Sequence, residues 1–530
     1  MPRTHRRAIR AIALVAGAAA ALAFGPGSAA RAEPAQKGCE NRTNTTVQAL
    51  LECVRAAGAV EHLQALQAIA DANGGTRAAG TPGYEASVDY VVKTLRAAGW
   101  QVSIDEFPFT FVGPSTLQQL SPVNATYSTG PFTGSGPGSL TAAVTPVDLQ
   151  LGVGNTSTSG CQASDFAGFP AGNIALIQRG GCPFVDKAVN AAAAGAAGVI
   201  IFNQGDTAGA DRQDLIVGTL GGPNVVGIPV VGASYQQGVA LAAAGSTAKI
   251  FVPAPEQRPQ KNVIAELPGV NDNNVVMAGA HLDSVQAGPG INDNGSGSAS
   301  LLEVAQNMSK NKPQNTVRLA WWGAEEAGLI GSTEYVKGLS QAEKDRIALY
   351  LNFDMVASPN YIFMVYDGDE SGFEAPVVVP DGSVAIEDLF ESYFTKVGRP
   401  YDDAEFSGRS DYQAFINNHI PAGGLFTGAE VLKNAEQQAI WGGQAGVAFD
   451  HCYHQACDTI ANVNLEALDI NIDAIALAVL AYSYSTQAVN GVTGTPVPGG
   501  LKLPAPAGPQ ESWSSGGGGL AHDHGHAVTS

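Results

Sequence analysis

Three apolar runs between Asn274 and Asp354, each ending in a reactive side chain, constrain this chain more than any other feature. Val275-Val276-Met277-Ala278-Gly279-Ala280 leads into His281, Val317-Arg318-Leu319-Ala320-Trp321-Trp322-Gly323 into Glu325 and Glu326, and Ala348-Leu349-Tyr350-Leu351-Asn352-Phe353 into Asp354. Short runs rich in β-branched and aromatic residues, spaced by helical patterns, predict strands of an α/β sheet buried on both faces. Ligands of open α/β sheets bind outside the carboxyl ends of the strands. Here each of those ends carries an imidazole or a carboxylate. A further segment, Asn292-Asp293-Asn294-Gly295-Ser296-Gly297, places another carboxylate in a Gly-rich turn that opens the next helix.

Taken singly, these residues say little, since a lone His after a strand is usually a satisfied core or surface residue and a Glu-Glu pair a solvated helix start. The combination carries the argument. His281, Asp293, Glu325, Glu326, Asp354 and His454 all fall in loops, most of them directly after buried runs, in a chain with only 14% charged residues. Two imidazoles among carboxylates form a mixed nitrogen and oxygen set suited to zinc rather than calcium or magnesium.

The first 32 residues read as a secretory signal peptide: Arg3, Arg6, Arg7 and Arg10 precede an apolar run from Ala11 to Phe24, and Ala30-Arg31-Ala32 offers a small-x-small cleavage site. Its removal deletes five Arg and no acid, so the formal charge moves from −20 to −25. A polyanion is repelled by nucleic acid and by anionic membranes, which excludes both as partners and fits a secreted monomeric enzyme. Six cysteines in an exported chain point to pairing, and shared local segments suggest Cys39 with Cys53, Cys161 with Cys182, and Cys452 with Cys457.

Along the chain, helices are expected over residues 47–57, 61–70 and 84–98, the last capped by Gly99, then a strand over 101–111 and strand ends and loops over 113–138. Residues 140–256 form a separate module, with strands over 173–178 and 198–203 around a helix over 184–194, and no cluster of metal-binding residues. The main α/β pattern resumes at 257 and ends in a long apolar helix over 465–484. Residues 490–530, rich in Pro and Gly and containing His522, His524 and His526, read as linker and disordered tail.

Two resemblances follow from these segments. Ile174-Ala175-Leu176-Ile177-Gln178-Arg179-Gly180-Gly181-Cys182-Pro183-Phe184, with Lys187 and Ala194-Gly195-Ala196-Ala197-Gly198-Val199-Ile200-Ile201-Phe202-Asn203, resembles the protease-associated (PA) domain, an insert that does no chemistry in known families. Ala280-His281-Leu282-Asp283-Ser284, Gly290 to Gly297, Gly323 to Ser332, Leu351-Asn352-Phe353-Asp354-Met355, Gly408-Arg409-Ser410-Asp411-Tyr412 and Cys452-Tyr453-His454-Gln455-Ala456-Cys457-Asp458 resemble the M28 family of di-zinc aminopeptidases. The resemblance implies a zinc-peptidase α/β/α sandwich (phosphorylase/hydrolase-like) over residues 33–139 and 257–489, interrupted by the module.

It also implies roles. His281 and Asp354 would hold one zinc, Glu326 and His454 the other, and Asp293 would bridge them. Asp283 would accept from the ring N–H of His281 and fix its tautomer. Glu325 would take the proton of the attacking water and return it to the leaving amine. Tyr453 resembles the family tyrosine that donates to the developing oxyanion. For the substrate, Arg409, an acid that is either Asp403 or Glu405, and the aromatic Phe426 match family positions. Calcium is compatible with the acidity, but no EF-hand-like pattern supports it. The expected activity is release of bulky apolar N-terminal residues; the rivals are a carboxypeptidase on the same fold, a single-zinc acyltransferase like glutaminyl cyclase, and a non-catalytic receptor.

Overall fold

The computed structural model describes residues 38–512, apart from 40, 41 and 223. The signal segment and the three tail histidines lie outside the described residues. An eight-stranded sheet runs in the order Gln101–Phe111, Glu256–Leu267, Asn315–Trp322, Asn271–His281, Ile347–Phe353, Ala422–Phe426, Met364–Tyr366, Asp402–Ala404. Its four central strands, from Asn315–Trp322 to Ala422–Phe426, are mutually parallel. The three apolar runs thus become neighbouring central strands whose carboxyl ends lie side by side.

Strand alternation divides each run between two cores. Val276, Ala278, Ala280, Leu319, Trp321, Leu349 and Leu351 join one cluster with helices Ala56–Ala72, Pro82–Ala98, Gly295–Met308 and Leu465–Tyr484. Val275, Met277, Ala320, Trp322 and Tyr350 join the other, against helices Ile330–Gly338 and Tyr412–Ile416. Because both faces are covered, the runs are continuously apolar rather than alternating with polar residues.

A second, seven-stranded sheet takes Ala125–Tyr127, Thr116–Ser121, Thr247–Val252, Gly138–Val147, Ile174–Gln178, Gly198–Phe202 and Val230–Ala233 in that order. Two of these strands lie in the stretch expected to hold only strand ends and loops. Flanking Pro, Gly and Ser mask them, and in Thr116–Ser121 only Leu117 and Gln119 are buried. The chain leaves the main sheet along Gln101–Phe111 and returns along Glu256–Leu267, which pair antiparallel from Gln101↔Glu266 to Phe111↔Glu256. One two-stranded stalk therefore carries the whole second sheet.

Two local expectations need correction. The helix expected over 47–57 stops at Leu51, and the next one starts at Ala56 and runs on to Ala72; the break brings Cys53 to Cys39, and the two are disulfide-bonded. The segment 491–512 is held against the body rather than loose: Gln510 N–H donates to the Tyr401 carbonyl at 2.9 Å, Ser512 donates to the Asp402 carboxylate, and Val497 is buried. Cys161–Cys182 and Cys452–Cys457 are bonded as expected. No described helix is long and apolar enough to cross a membrane.

One core acid gives a pH-dependent stability. The Glu303 carboxylate, buried where the Asn-capped helix Gly295–Met308 meets Gly58, is pushed by burial up to about 7. A carboxyl whose folded pKa exceeds its unfolded value contributes fully below the unfolded pKa, and that contribution is lost as pH rises through the folded one. Glu303→Gln is therefore expected to stabilise the protein by on the order of 2 kcal/mol at pH 8 and to be near neutral at pH 4. Denaturant melts at the two pH values check the sign.

Candidate active site

The loops after the parallel strands converge on one cavity. Its wall includes His281, Asp293, Glu325, Glu326, Asp354 and His454, together with Arg409, Glu405, Phe426 and Tyr453. Left-handed backbone at Ala324, Met355 and His454 (φ 57°, 48° and 57°) bends the chain sharply at or beside three of these acids and imidazoles. Non-glycine residues adopt that region at a cost, and such positions concentrate at functional sites.

Asp293 stands at the centre, with Oδ1 3.3 Å from His281 Nε2 and Oδ2 3.3 Å from His454 Nε2. On the first side Asp354 Oδ1 is 3.4 Å from His281 Nε2; on the other, Glu326 Oε2 is 2.9 Å from His454 Nε2. The potential ligand atoms of His281, Asp293 and Asp354 lie within 4.8 Å of one another, as do those of Asp293, Glu326 and His454. The two triads share one carboxylate. Glu325 is set back, its Oε2 3.9 Å from His281 Nε2.

The electrostatics of this cluster call for cations. Burial alone would lower the His281 and His454 imidazoles, but the facing Asp354 and Glu325, and Glu326 and Asp293, raise both well above the ordinary range. Burial drives Glu325 and Glu326 up, and Asp411 up to about 7. Asp293 goes the other way, because the two imidazoles outweigh its burial. The Glu326 Oε1 and Asp354 Oδ1 atoms are buried with no hydrogen-bond partner. Open carboxylate oxygens beside imidazole nitrogens in two adjoining triads fit zinc.

The positioning network was only partly visible in the sequence. Asp283 was expected to hold the His281 ring. Its backbone carbonyl is the nearer acceptor, 3.1 Å from Nδ1, and its carboxylate faces the same nitrogen at 3.7 Å and raises the imidazole. That carboxylate accepts the backbone N–H of Glu325 at 3.2 Å and of Glu326 at 3.3 Å. The turn folds the carbonyl under the ring first, which leaves the side chain to fix the glutamate pair.

Other anchors, most of them inside the motifs quoted above, have no role assigned to them by the sequence. The buried Arg77 guanidinium donates to the carbonyls of Leu282, Pro289 (2.9 Å) and Gly290 (2.6 Å), and so clamps the loop between His281 and Asp293. Asp458 accepts from the Asn292 and Asp293 N–H groups at 2.9 and 3.0 Å. Asn294 caps the following helix and also joins the Asp293 loop to the Asp354 loop, donating to the Phe353 carbonyl at 2.8 Å and accepting from Met355 N–H at 3.2 Å. A relay from Trp322 through Tyr350 and Asn352 reaches Ser410, which donates to Asp354 Oδ2 at 2.6 Å.

Of the proposed substrate residues, Glu405, Arg409 and Phe426 line the cavity and Asp403 does not. Asp403 lies on the other face of its short strand among acids of a neighbouring helix, where burial and those charges push it up to about 8. An acid that the sequence left unmarked, Glu430, lines the cavity 3.2 Å from Arg409. The Tyr453 ring stacks on His454 at 3.8 Å, and its hydroxyl is 3.5 Å from Arg409. Burial raises that phenol well above its ordinary value, so it remains a proton donor.

The sequence pattern of peptidase family M28 matches residues 262–479, and that of the PA domain residues 141–241. An aminopeptidase of Pseudomonas aeruginosa is 53% identical over 455 residues, 84% of each chain. This chain belongs to peptidase family M28. Leucine aminopeptidase 2 of Trichophyton rubrum is 46% identical over 62% of this chain and 66% of its own length. Among solved structures, a zinc aminopeptidase of Bacillus subtilis aligns with a TM-score of 0.62 at 27% identity, covering 80% of this M28 chain and 94% of its own.

Proposed function

We propose that this M28 metallo-aminopeptidase is exported and releases bulky apolar residues, such as Leu, from peptide N-termini at a pair of zinc ions. The observation that carries the two-metal reading is Asp293, whose two oxygens each face a different imidazole. His281 and Asp354 would hold one zinc, Glu326 and His454 the other, and Asp293 both. Bound there, zinc supplies Lewis acidity toward the scissile carbonyl and lowers the pKa of water.

The remaining steps belong to the chain's own side chains. Glu325, next to but outside both triads, takes a proton from the attacking water and delivers it to the departing amine. Tyr453 donates its hydroxyl to the carbonyl oxygen as negative charge develops. Met364, Tyr366, Phe426, Val431 and Phe449 give the cavity an apolar wall that suits a Leu side chain, as do relatives named leucine aminopeptidase 2. Three disulfides support export. The inserted module contributes no residue to the cavity wall and acts outside the chemistry.

Two copies of one Leu-led peptide, one amidated at its C-terminus and one acetylated at its N-terminus, separate the readings. The account predicts release of Leu from the amidated peptide and no cleavage of the acetylated one. Loss of the C-terminal residue from the acetylated peptide would make the enzyme a carboxypeptidase. With a third, Gln-led peptide, cyclisation of the N-terminal Gln without hydrolysis would make it an acyltransferase. Ser410→Ala tests the positioning of Asp354: removing this hydrogen bond is expected to weaken zinc binding or activity by roughly 10–100-fold, read by zinc titration and kcat.

A further inference from the structure

Three segments far apart in the sequence bring Arg409, Glu430 and Tyr453 together on the wall of the active-site cavity. Arg409 follows Gly408, whose N–H donates to the Tyr412 hydroxyl at 2.9 Å, and precedes Ser410, which donates to Asp354 Oδ2 at 2.6 Å. Glu430 comes after strand Ala422–Phe426, and the residues on either side of it are pinned by the segment that leads to Tyr453. Asp450 N–H donates to the Ala429 carbonyl at 2.7 Å and Phe449 N–H to the Val431 carbonyl at 2.9 Å. A Cβ at Gly428 would sit 2.4 Å from the Phe449 ring, so this close approach needs glycine. Tyr453 stands between Cys452, bonded to Cys457, and His454, on whose ring it stacks with centroids 3.8 Å apart.

The side chains meet in a fixed order. Arg409 Nη1 donates to Glu430 Oε1 at 3.2 Å, and Arg409 Nη2 lies 3.5 Å from the Tyr453 hydroxyl. A guanidinium has donors only, so at that contact the phenol oxygen accepts and its own hydrogen is donated in another direction. The fork is planar and rigid, so holding one arm on a carboxylate sets the direction of the other. The contact to Tyr453 is long, as catalytic hydrogen bonds often are before they tighten around a transition state. Glu430 also offsets the positive charge that Arg409 would otherwise present to the ammonium of an incoming peptide N-terminus.

On the reading of Tyr453 as the donor to the oxyanion, on which this depends, we propose that Glu430 is a positioning residue for the peptidase reaction. It holds the Arg409 guanidinium against the Tyr453 oxygen, so that the Tyr453 hydrogen points at the carbonyl oxygen of the substrate. Glu430 itself touches neither the scissile bond nor the attacking water. Lysine in place of Arg409 keeps the charge but not the fork, and glutamine in place of Glu430 keeps the size but not the charge that holds the fork. Both changes loosen the aim without removing the donor. The two side chains are 26% and 36% exposed, so neither belongs to the core and both variants should fold.

The test uses the full-length, zinc-loaded enzyme and leucine 4-nitroanilide, with zinc content measured in every variant. Tyr453→Phe removes the donor and is expected to lower kcat by on the order of 10²–10³. Glu430→Gln and Arg409→Lys only misplace it, so each should lower kcat by roughly 10–100-fold, with KM and zinc content unchanged. Combined with Tyr453→Phe, Glu430→Gln should cost nothing further, because residues that act as a unit are not additive. A full further loss in the double variant, a loss of zinc, or unaltered kinetics in Glu430→Gln overturns the proposal. So does a raised KM at unchanged kcat, which would put Glu430 on the substrate ammonium instead. Unchanged kcat in Tyr453→Phe would remove the role of Tyr453 itself, and that of Glu430 with it.

Discussion

Glu325→Gln is expected to lower kcat by on the order of 10²–10⁴ while zinc content and fold are retained. The substitution keeps the size of the side chain and removes only its ability to carry a proton. Glu325 Oε2 stands 3.9 Å from His281 Nε2, farther than the oxygens of Asp293 and Asp354, which fits a group beside the metals rather than on them. The neighbouring Glu326→Gln should behave differently. Glu326 Oε2 is 2.9 Å from His454 Nε2 and its Oε1 is open, so a neutral amide there weakens one zinc, and activity should partly return with added zinc. The Asp283 carboxylate grips both backbone N–H groups, so neither change should unfold the turn. Zinc loss from Glu325→Gln with full zinc in Glu326→Gln would reverse the two roles.

Arg77→Met is expected to destabilise the protein by on the order of 5 kcal/mol. Its side chain is fully buried, and the variant would leave the carbonyls of Leu282, Pro289 and Gly290 without their charged donor. It would also remove the positive charge that acts on Asp283, Asp458 and Asp293. Methionine roughly fills the space, so the loss reports polar contacts rather than a cavity. A shift in the guanidinium midpoint without a change in slope gives the number. A loss below about 1 kcal/mol would mean that the loop between His281 and Asp293 is held by other contacts.

The residues that meet in the cavity were legible because a parallel sheet buried on both faces writes continuous apolar runs, and the chemistry sits where those runs stop. His281, the Glu325–Glu326 pair and Asp354 all follow that rule, and the disulfide that brackets Tyr453 and His454 follows from cysteine spacing. What supports them was not legible. Arg77 sits in a Gly-rich loop, where arginine is ordinarily solvated, and its partners are backbone carbonyls more than 200 residues away that carry no side-chain signature. The relay through Tyr350 and Asn352 is hidden inside an apolar run, because two polar side chains satisfied by each other cost little in a core. Asp403 and Glu405 were equal candidates in the sequence. Alternation alone would put both on one face; the strand ends at Ala404, so Asp403 stays on the far face while Glu405, in the loop beyond, reaches the cavity.

The proposed pair of metal ions is tested most directly by counting zinc in the purified protein. The account predicts two zinc ions per chain, one of them lost selectively when His454 is replaced by alanine and both retained in Glu325→Gln. A single zinc per chain in a fully active enzyme would contradict it.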